Sequence, residues 1–183
     1  MTGNERGEVI RQVEHAVSLL ADAMDSACIP EVGMNIVFAL PGARDPGDVA
    51  GVQGRIVRLG TAVHPVGDVV FGASDHIARI VLTAMKFDPR IRSAANIRFS
   101  EKTVRLLEGM MLDVCSFDRT VEPPGVKTMD WGVAQCCRDG VPDIIFDRGA
   151  VGKEPMIRVL GEDPGTIARN IIMLSGRIKD TNV

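Results

Sequence analysis

A chain of 183 residues with 45% hydrophobic residues, 25% charged residues and a net charge of −3 has enough apolar material for one globular domain, which argues against disordered and fibrous classes. Acids and bases interleave, leaving no basic run to follow a nucleic-acid backbone, and one tryptophan with no tyrosine argues against a base-stacking surface, so no nucleic-acid partner is expected. No charged-then-apolar leader and no apolar stretch near ~18 residues is found, so a cytoplasmic chain with no membrane partner is expected, its four cysteines (28, 115, 136 and 137) buried as reduced thiols.

Along the chain, Val9, Ile10, Val13, Val17, Leu20, Ala21 and Met24 recur mostly three or four apart and predict a helix over 6–27, ended by Ile29-Pro30. Residues 35–40 form a short apolar run between Gly33 and Pro41-Gly42, the pattern of a strand buried on both faces; 41–48 reads as a loop. Residues 54–60 alternate polar and apolar between glycines and pair with 61–66 as a hairpin, with Pro65 at an edge or end. Residues 67–72 lead into a helix running to about Lys86. Then follow a strand over 94–99, a helix capped by Ser100 and running to Glu108, a strand over 111–117, a surface loop over 118–129, and a helix over 131–138. Two strands (143–146 and 156–160) and a helix over 164–178 close the pattern. Alternating elements without an internal repeat or composition shift give one α/β domain over 1–183, with a mixed sheet and helices on both faces.

The segment Gly72-Ala73-Ser74-Asp75-His76 has the chemistry of an anion site. Gly72 and Ala73 allow close backbone approach, Ser74 or Asp75 can cap the helix, and first-turn amides with the positive end of the helix dipole favour phosphate or carboxylate. His76 beside them can exchange a proton near neutral pH, and Arg79 adds a cation; His15 and His64 have the setting of surface and turn residues. The same segment also serves as ordinary helix punctuation. Of Arg55 and Arg58, three apart on the expected strand, only one can face a shared site. Asp147-Arg148-Gly149 and Gly152-Lys153-Glu154 leave or enter strands, where α/β proteins bind ligands. Asp75, Asp118, Asp147 and Glu154 are possible Mg²⁺ carboxylates, and no spacing among them defines a metal site.

The ordered blocks 30–41 (PEVGMNIVFALP), 54–58 (GRIVR), 71–79 (FGASDHIAR), 84–89 (AMKFDP), 96–98 (NIR), 146–149 (FDRG) and 152–157 (GKEPMI) resemble the ThiN-type thiamine phosphate synthases, over about residues 8–175. The resemblance implies a three-layer α/β/α sandwich that joins hydroxymethylpyrimidine diphosphate to hydroxyethylthiazole phosphate and releases diphosphate. It implies Arg55 and His76 as catalytic residues. Gly72, Ala73, Ser74, Arg79, Asn96, Arg148 and Lys153 are the expected phosphate pocket, and Mg²⁺ the expected companion of the diphosphate, with Asp75, Asp147 and Glu154 as its candidate ligands. A homodimer is expected. Family members are often fused behind a pyrimidine kinase, so this chain is expected to be a stand-alone synthase or an excised domain. The alternative is a non-catalytic thiamine-phosphate sensor of a transcriptional regulator, against which stands the lack of a basic recognition module ahead of residue 8. A zinc aldolase would need clustered histidines, and three scattered ones do not supply them.

Overall fold

The computed structural model describes residues 3–123 and 128–180. The helical spacing near the N-terminus becomes α1 (Gly3–Ala23), which buries Val9, Val13, Ala16 and Leu20 in one stripe. It ends ahead of the proline, where Asp25 turns the chain into a 3₁₀ turn over Ser26–Cys28 by accepting the Ala27 amide at 2.8 Å. There follow β1 (Ile36–Ala39), β2 (Val49–Val52), β3 (Ile56–Leu59), β4 (Ala62–Pro65), β5 (Val69–Phe71) and α2 (Asp75–Ala84). The chain continues with β6 (Ser93–Arg98), α3 (Glu101–Glu108), β7 (Val114–Ser116), α4 (Thr128–Cys136), β8 (Ile144–Asp147), β9 (Met156–Gly161) and α5 (Pro164–Asp180).

Seven strands form one sheet in the order β5-β2-β1-β6-β9-β8-β7, antiparallel throughout except for the parallel β7–β8 pair, while β3 and β4 form a separate hairpin. Because strand side chains alternate, each strand feeds two cores. Ile36, Phe38, Ile97, Ile144 and Ile157 pack under α1, α3 and α5; Val37, Ala39, Ala94, Ile145 and Leu160 pack under α2 and α4. The result is the three-layer α/β/α sandwich with a mixed sheet that the sequence predicts.

Three sequence expectations need correction. Val49–Val52, to which the sequence reading gave no element, and Val69–Phe71, within the expected lead-in over 67–72, are sheet strands; each is too short to show a period, and each is held by pairing with a neighbour (Ala50 with Phe38 and with Phe71). The strand expected over 111–117 shrinks to three residues because Met111 turns with φ +60°. Cys115 and Cys136 are joined in a disulfide that ties β7 to α4, whereas Cys28 and Cys137 are buried free thiols, as expected. Of the expected loop over 118–129, residues 124–127 lie outside the described residues. Among the described residues no helix is long and apolar enough to cross a membrane.

Candidate active site

A cleft of about 560 Å³ opens where the start of α2 faces the segments leading into β1 and β9, a size suited to a small ligand. Its first wall is Ala73 to Ile77. Ser74 caps α2, its Oγ accepting the Ile77 amide at 3.4 Å, and Gly72 just before it takes φ +78°, a left-handed turn that glycine adopts without steric cost. First-turn amides lack intrahelical acceptors, so this end of α2 presents a partial positive charge to the cleft.

The second wall is Val32 to Asn35, held by two buried asparagines. Asn96 on β6 accepts the Asn35 amide at 2.8 Å and donates to the Gly33 carbonyl at 3.0 Å. Asn35 in turn bonds both the amide and the carbonyl of Val52, at 2.9 and 2.8 Å. Glu154 accepts the amides of Glu31 (2.9 Å) and Val32 (3.1 Å), which fixes the turn before that wall. Arg55 lies across it from the turn between β2 and β3, donating from Nη1 to the Val32 carbonyl. Its φ is +86°, and Gly33 leaves it space: a Cβ there would stand 3.0 Å from Arg55 Cδ.

The third side is the turn from Asp147 to Met156. Gly149, at φ +75°, donates its amide to Asp147 Oδ1 at 2.8 Å; a Cβ at this glycine would fall 2.6 Å from the Lys153 carbonyl oxygen. Reciprocal Ala150–Lys153 backbone bonds close the turn and place Lys153 at the cleft, with Nζ 3.3 Å from Glu122. Arg119 completes the lining from a 3₁₀ turn (Arg119–Val121) opened by Asp118, which accepts the Thr120 amide at 2.8 Å.

His76 is exposed by solvent-accessible area but lies in the wall of this concavity, and a concave setting dehydrates a side chain more than its open edge suggests. That lost hydration, followed by the charges of Arg158 and Arg119, pushes its pKa down to about 4; Asp147 and Asp75 oppose the shift. The imidazole of the free protein is therefore neutral at pH 7.

Of the residues singled out in the sequence, Arg55, Ala73, Ser74, Asp75, His76, Asn96, Lys153 and Glu154 meet at this cleft. Gly72 shapes the turn behind it. Arg79 turns toward Asp75 (2.8 Å) and Asp130 of α4 (3.7 Å), and Arg148 toward Glu101 of α3 (2.8 Å), so neither lines the cleft. Arg58 donates to the Gly60 carbonyl, and His15 and His64 are exposed on α1 and β4. The three candidate carboxylates do not converge as metal ligands. Asp147 is buried against two arginines, Glu154 is occupied by two amides, and Asp75 bonds Arg79. Among the described residues no group of three histidine, cysteine, aspartate or glutamate side chains is placed to hold a metal ion. Arg119 went unnoticed in the sequence.

The family model described as "Thiamine-phosphate synthase ThiN" matches residues 12–173. The chain belongs to the ThiN family. It is 48% identical over 168 residues to the bifunctional thiamine biosynthesis protein ThiDN of Methanocaldococcus jannaschii, covering 90% of this chain but only 40% of that longer protein. It is 37% identical over 178 residues to the thiamine-phosphate synthase ThiN of Methanothermobacter thermautotrophicus, covering 93% of this chain and 94% of that one. Its fold superposes on the crystal structure of the C-terminal domain of protein MJ0236 with a TM-score of 0.91 at 44% identity, covering 97% of this chain and 98% of that domain. In this ThiN chain, the arginine and histidine that the resemblance assigns to catalysis, Arg55 and His76, line the same cleft.

Proposed function

We propose that this chain is a thiamine phosphate synthase, a transferase that joins hydroxymethylpyrimidine diphosphate to hydroxyethylthiazole phosphate with release of diphosphate. The observation that carries the reading is the convergence of Arg55, Lys153, Arg119 and the positive end of α2 on one cleft beside a neutral histidine. In the reaction the thiazole nitrogen bonds the pyrimidine's methylene carbon as the bond from that carbon to the diphosphate oxygen breaks, its electron pair leaving with diphosphate. Negative charge grows on the leaving group, which is where fixed cations and helix amides stabilise a transition state. Arg55 neutralises that charge, and neutral His76 donates a ring N–H to a diphosphate oxygen. Ser74 and Ala73 bring the backbone of α2 to the phosphates, and Lys153 closes the opposite side. Among the described residues no carboxylates converge to hold a metal, so a Mg²⁺ would be held chiefly by the diphosphate itself and would supply neutralising charge there.

A homodimer in the cytoplasm is part of the same proposal. The Cys115–Cys136 bridge stands against that compartment, where thiols are normally kept reduced. A kinase fused ahead of the domain, as in the phosphomethylpyrimidine kinase whose C-terminal domain shares this fold at 41% identity and a TM-score of 0.86, would supply the pyrimidine substrate. The test is thiamine phosphate formation by the purified chain with both substrates and Mg²⁺, beside His76→Ala. Turnover in the parent that is lost in the variant supports the synthase. Tight thiamine phosphate binding without turnover in the parent refutes it in favour of a sensor domain.

A further inference from the structure

Behind the cleft, two guanidinium groups share one carboxylate in a dry place. Arg158 and Asp147 have fully buried side chains, and that of Arg119 is only 7% exposed. Arg158 donates from Nη2 to Asp147 Oδ2 at 2.7 Å, and Arg119 Nε stands 2.9 Å from Asp147 Oδ1. Asp147 Oδ1 also accepts the Gly149 amide. Phe117, 5.3 Å from the Arg158 guanidinium, covers the group. The triad thus carries one positive charge more than it neutralises, and among the described residues the Arg158 Nε–H makes no hydrogen bond, while the Arg119 Nε–H meets only the shared Asp147 oxygen, out of line for a hydrogen bond.

An uncompensated buried cation is costly, and so is a buried N–H without an acceptor. The excess charge and the poorly aligned Arg119 N–H both reach the cleft through Arg119, which lines it, while Asp147 and Arg158 are fully buried. The nearby acids are engaged elsewhere: Glu122 at Lys153 and Glu154 at the Glu31 and Val32 amides. The fold therefore holds a preformed cationic floor that a ligand anion would complete. We propose that Arg119, held in place by the Asp147 it shares with Arg158, is the anchor for the ligand's phosphate groups in the cleft that the start of α2 also lines. This deepens the synthase reading and rests on its anionic ligand, with no part of the chemistry required.

The same floor couples ligand charge to His76. The charged groups around that imidazole are Arg158 from β9, Arg119 from its 3₁₀ turn, Asp147 from β8 and Asp75 from α2, with Arg55, Lys153 and Glu154 on the cleft walls. An anion seated on Arg119 offsets the two arginines that disfavour protonation. Ligand binding then makes the histidine easier to protonate.

The experiment is calorimetric titration of the full chain with inorganic diphosphate, using wild type, R119Q and R119K checked for fold by circular dichroism. Affinity is expected to fall at least tenfold in R119Q and less in R119K. A loss below threefold in folded R119Q, or no diphosphate binding by wild type, overturns the proposal. A second measurement needs no variant: NMR of the wild-type chain should show the Arg119 Nε–H resonance shifting and the His76 pKa rising as diphosphate is added, and neither moving would overturn it. Because binding is read without turnover, diphosphate held through Arg119 in a chain that forms no thiamine phosphate would sink the synthase reading alone.

Discussion

Arg55 occupies a conformation that glycine prefers, and this separates its cost to the fold from its use in the cleft. A non-glycine residue at φ +86° is strained by about 1–2 kcal/mol. Both Arg55→Ala and Arg55→Gly delete the bond to the Val32 carbonyl and the guanidinium, but only glycine relieves the strain. Glycine also gives the unfolded chain more freedom, which takes back about 0.4–1 kcal/mol. The glycine variant should therefore be the more stable of the two by about 0.5–1 kcal/mol, the reverse of the usual order. In a domain of this size that is a melting temperature about 1–4 °C higher, read by scanning calorimetry. Turnover should fall in both by about 10²–10³-fold, the typical effect of deleting one group that stabilises transition-state charge. If the alanine variant melts at or above the glycine variant, the strain argument fails. If either retains parental turnover, Arg55 has no part in the chemistry.

Asp147→Asn leaves two buried guanidinium groups without their counter-charge and should cost about 3–5 kcal/mol in urea unfolding; a loss under about 1 kcal/mol would mean that the triad does not hold together as described. His76 has its pKa lowered to about 4, so between there and the ordinary histidine value of about 6.5 the unfolded chain binds more protons than the folded one. Stability should rise with pH across that window and fall as pH drops through it, more steeply in the parent than in His76→Gln; identical slopes in urea titrations at several pH values would contradict the shift. Reducing the Cys115–Cys136 bridge, or replacing both residues by serine, frees a loop with a sequence separation of 21 and should cost about 3 kcal/mol, seen as a lower urea midpoint. An unchanged midpoint would show that the bridge restrains nothing.

Much of the sandwich was legible because periodicity reports on local burial. The stripe on α1, the Ser100 cap, the β3–β4 hairpin and the apolar runs of β1, β8 and β9 appear much as their spacing predicts. What escaped depends on partners distant in sequence. β2 contains Ala50 and Gly51, poor strand formers on their own, and is a strand because β1 and β5 flank it. Arg119 sits between Asp118 and a proline-rich stretch, a composition that reads as surface, and only the packing of the chain after β7 against Asp147 buries it. Arg158 did leave a trace: a strand covered on both faces admits an arginine only with a buried counter-charge, and Asp147 was already in view. No such trace joins Cys115 to Cys136, since the approach of β7 to α4 belongs to neither segment.

The order of strands also bears on how the protein is made. β9 is the last strand synthesised, yet it lies between β6 and β8. Before it emerges from the ribosome, β5-β2-β1-β6 and β7–β8 are two half-sheets with no ladder between them, and the edges of β6 and β8 are open to pairing with other chains. Joining them requires contacts across long stretches of sequence, such as Ala95 with Val159, which close slowly. The cleft draws on residues from Val32 to Met156, so it cannot exist until that final strand slots in. Nascent chains would thus remain without the cleft, with both edges open, until β9 has left the ribosome and docked.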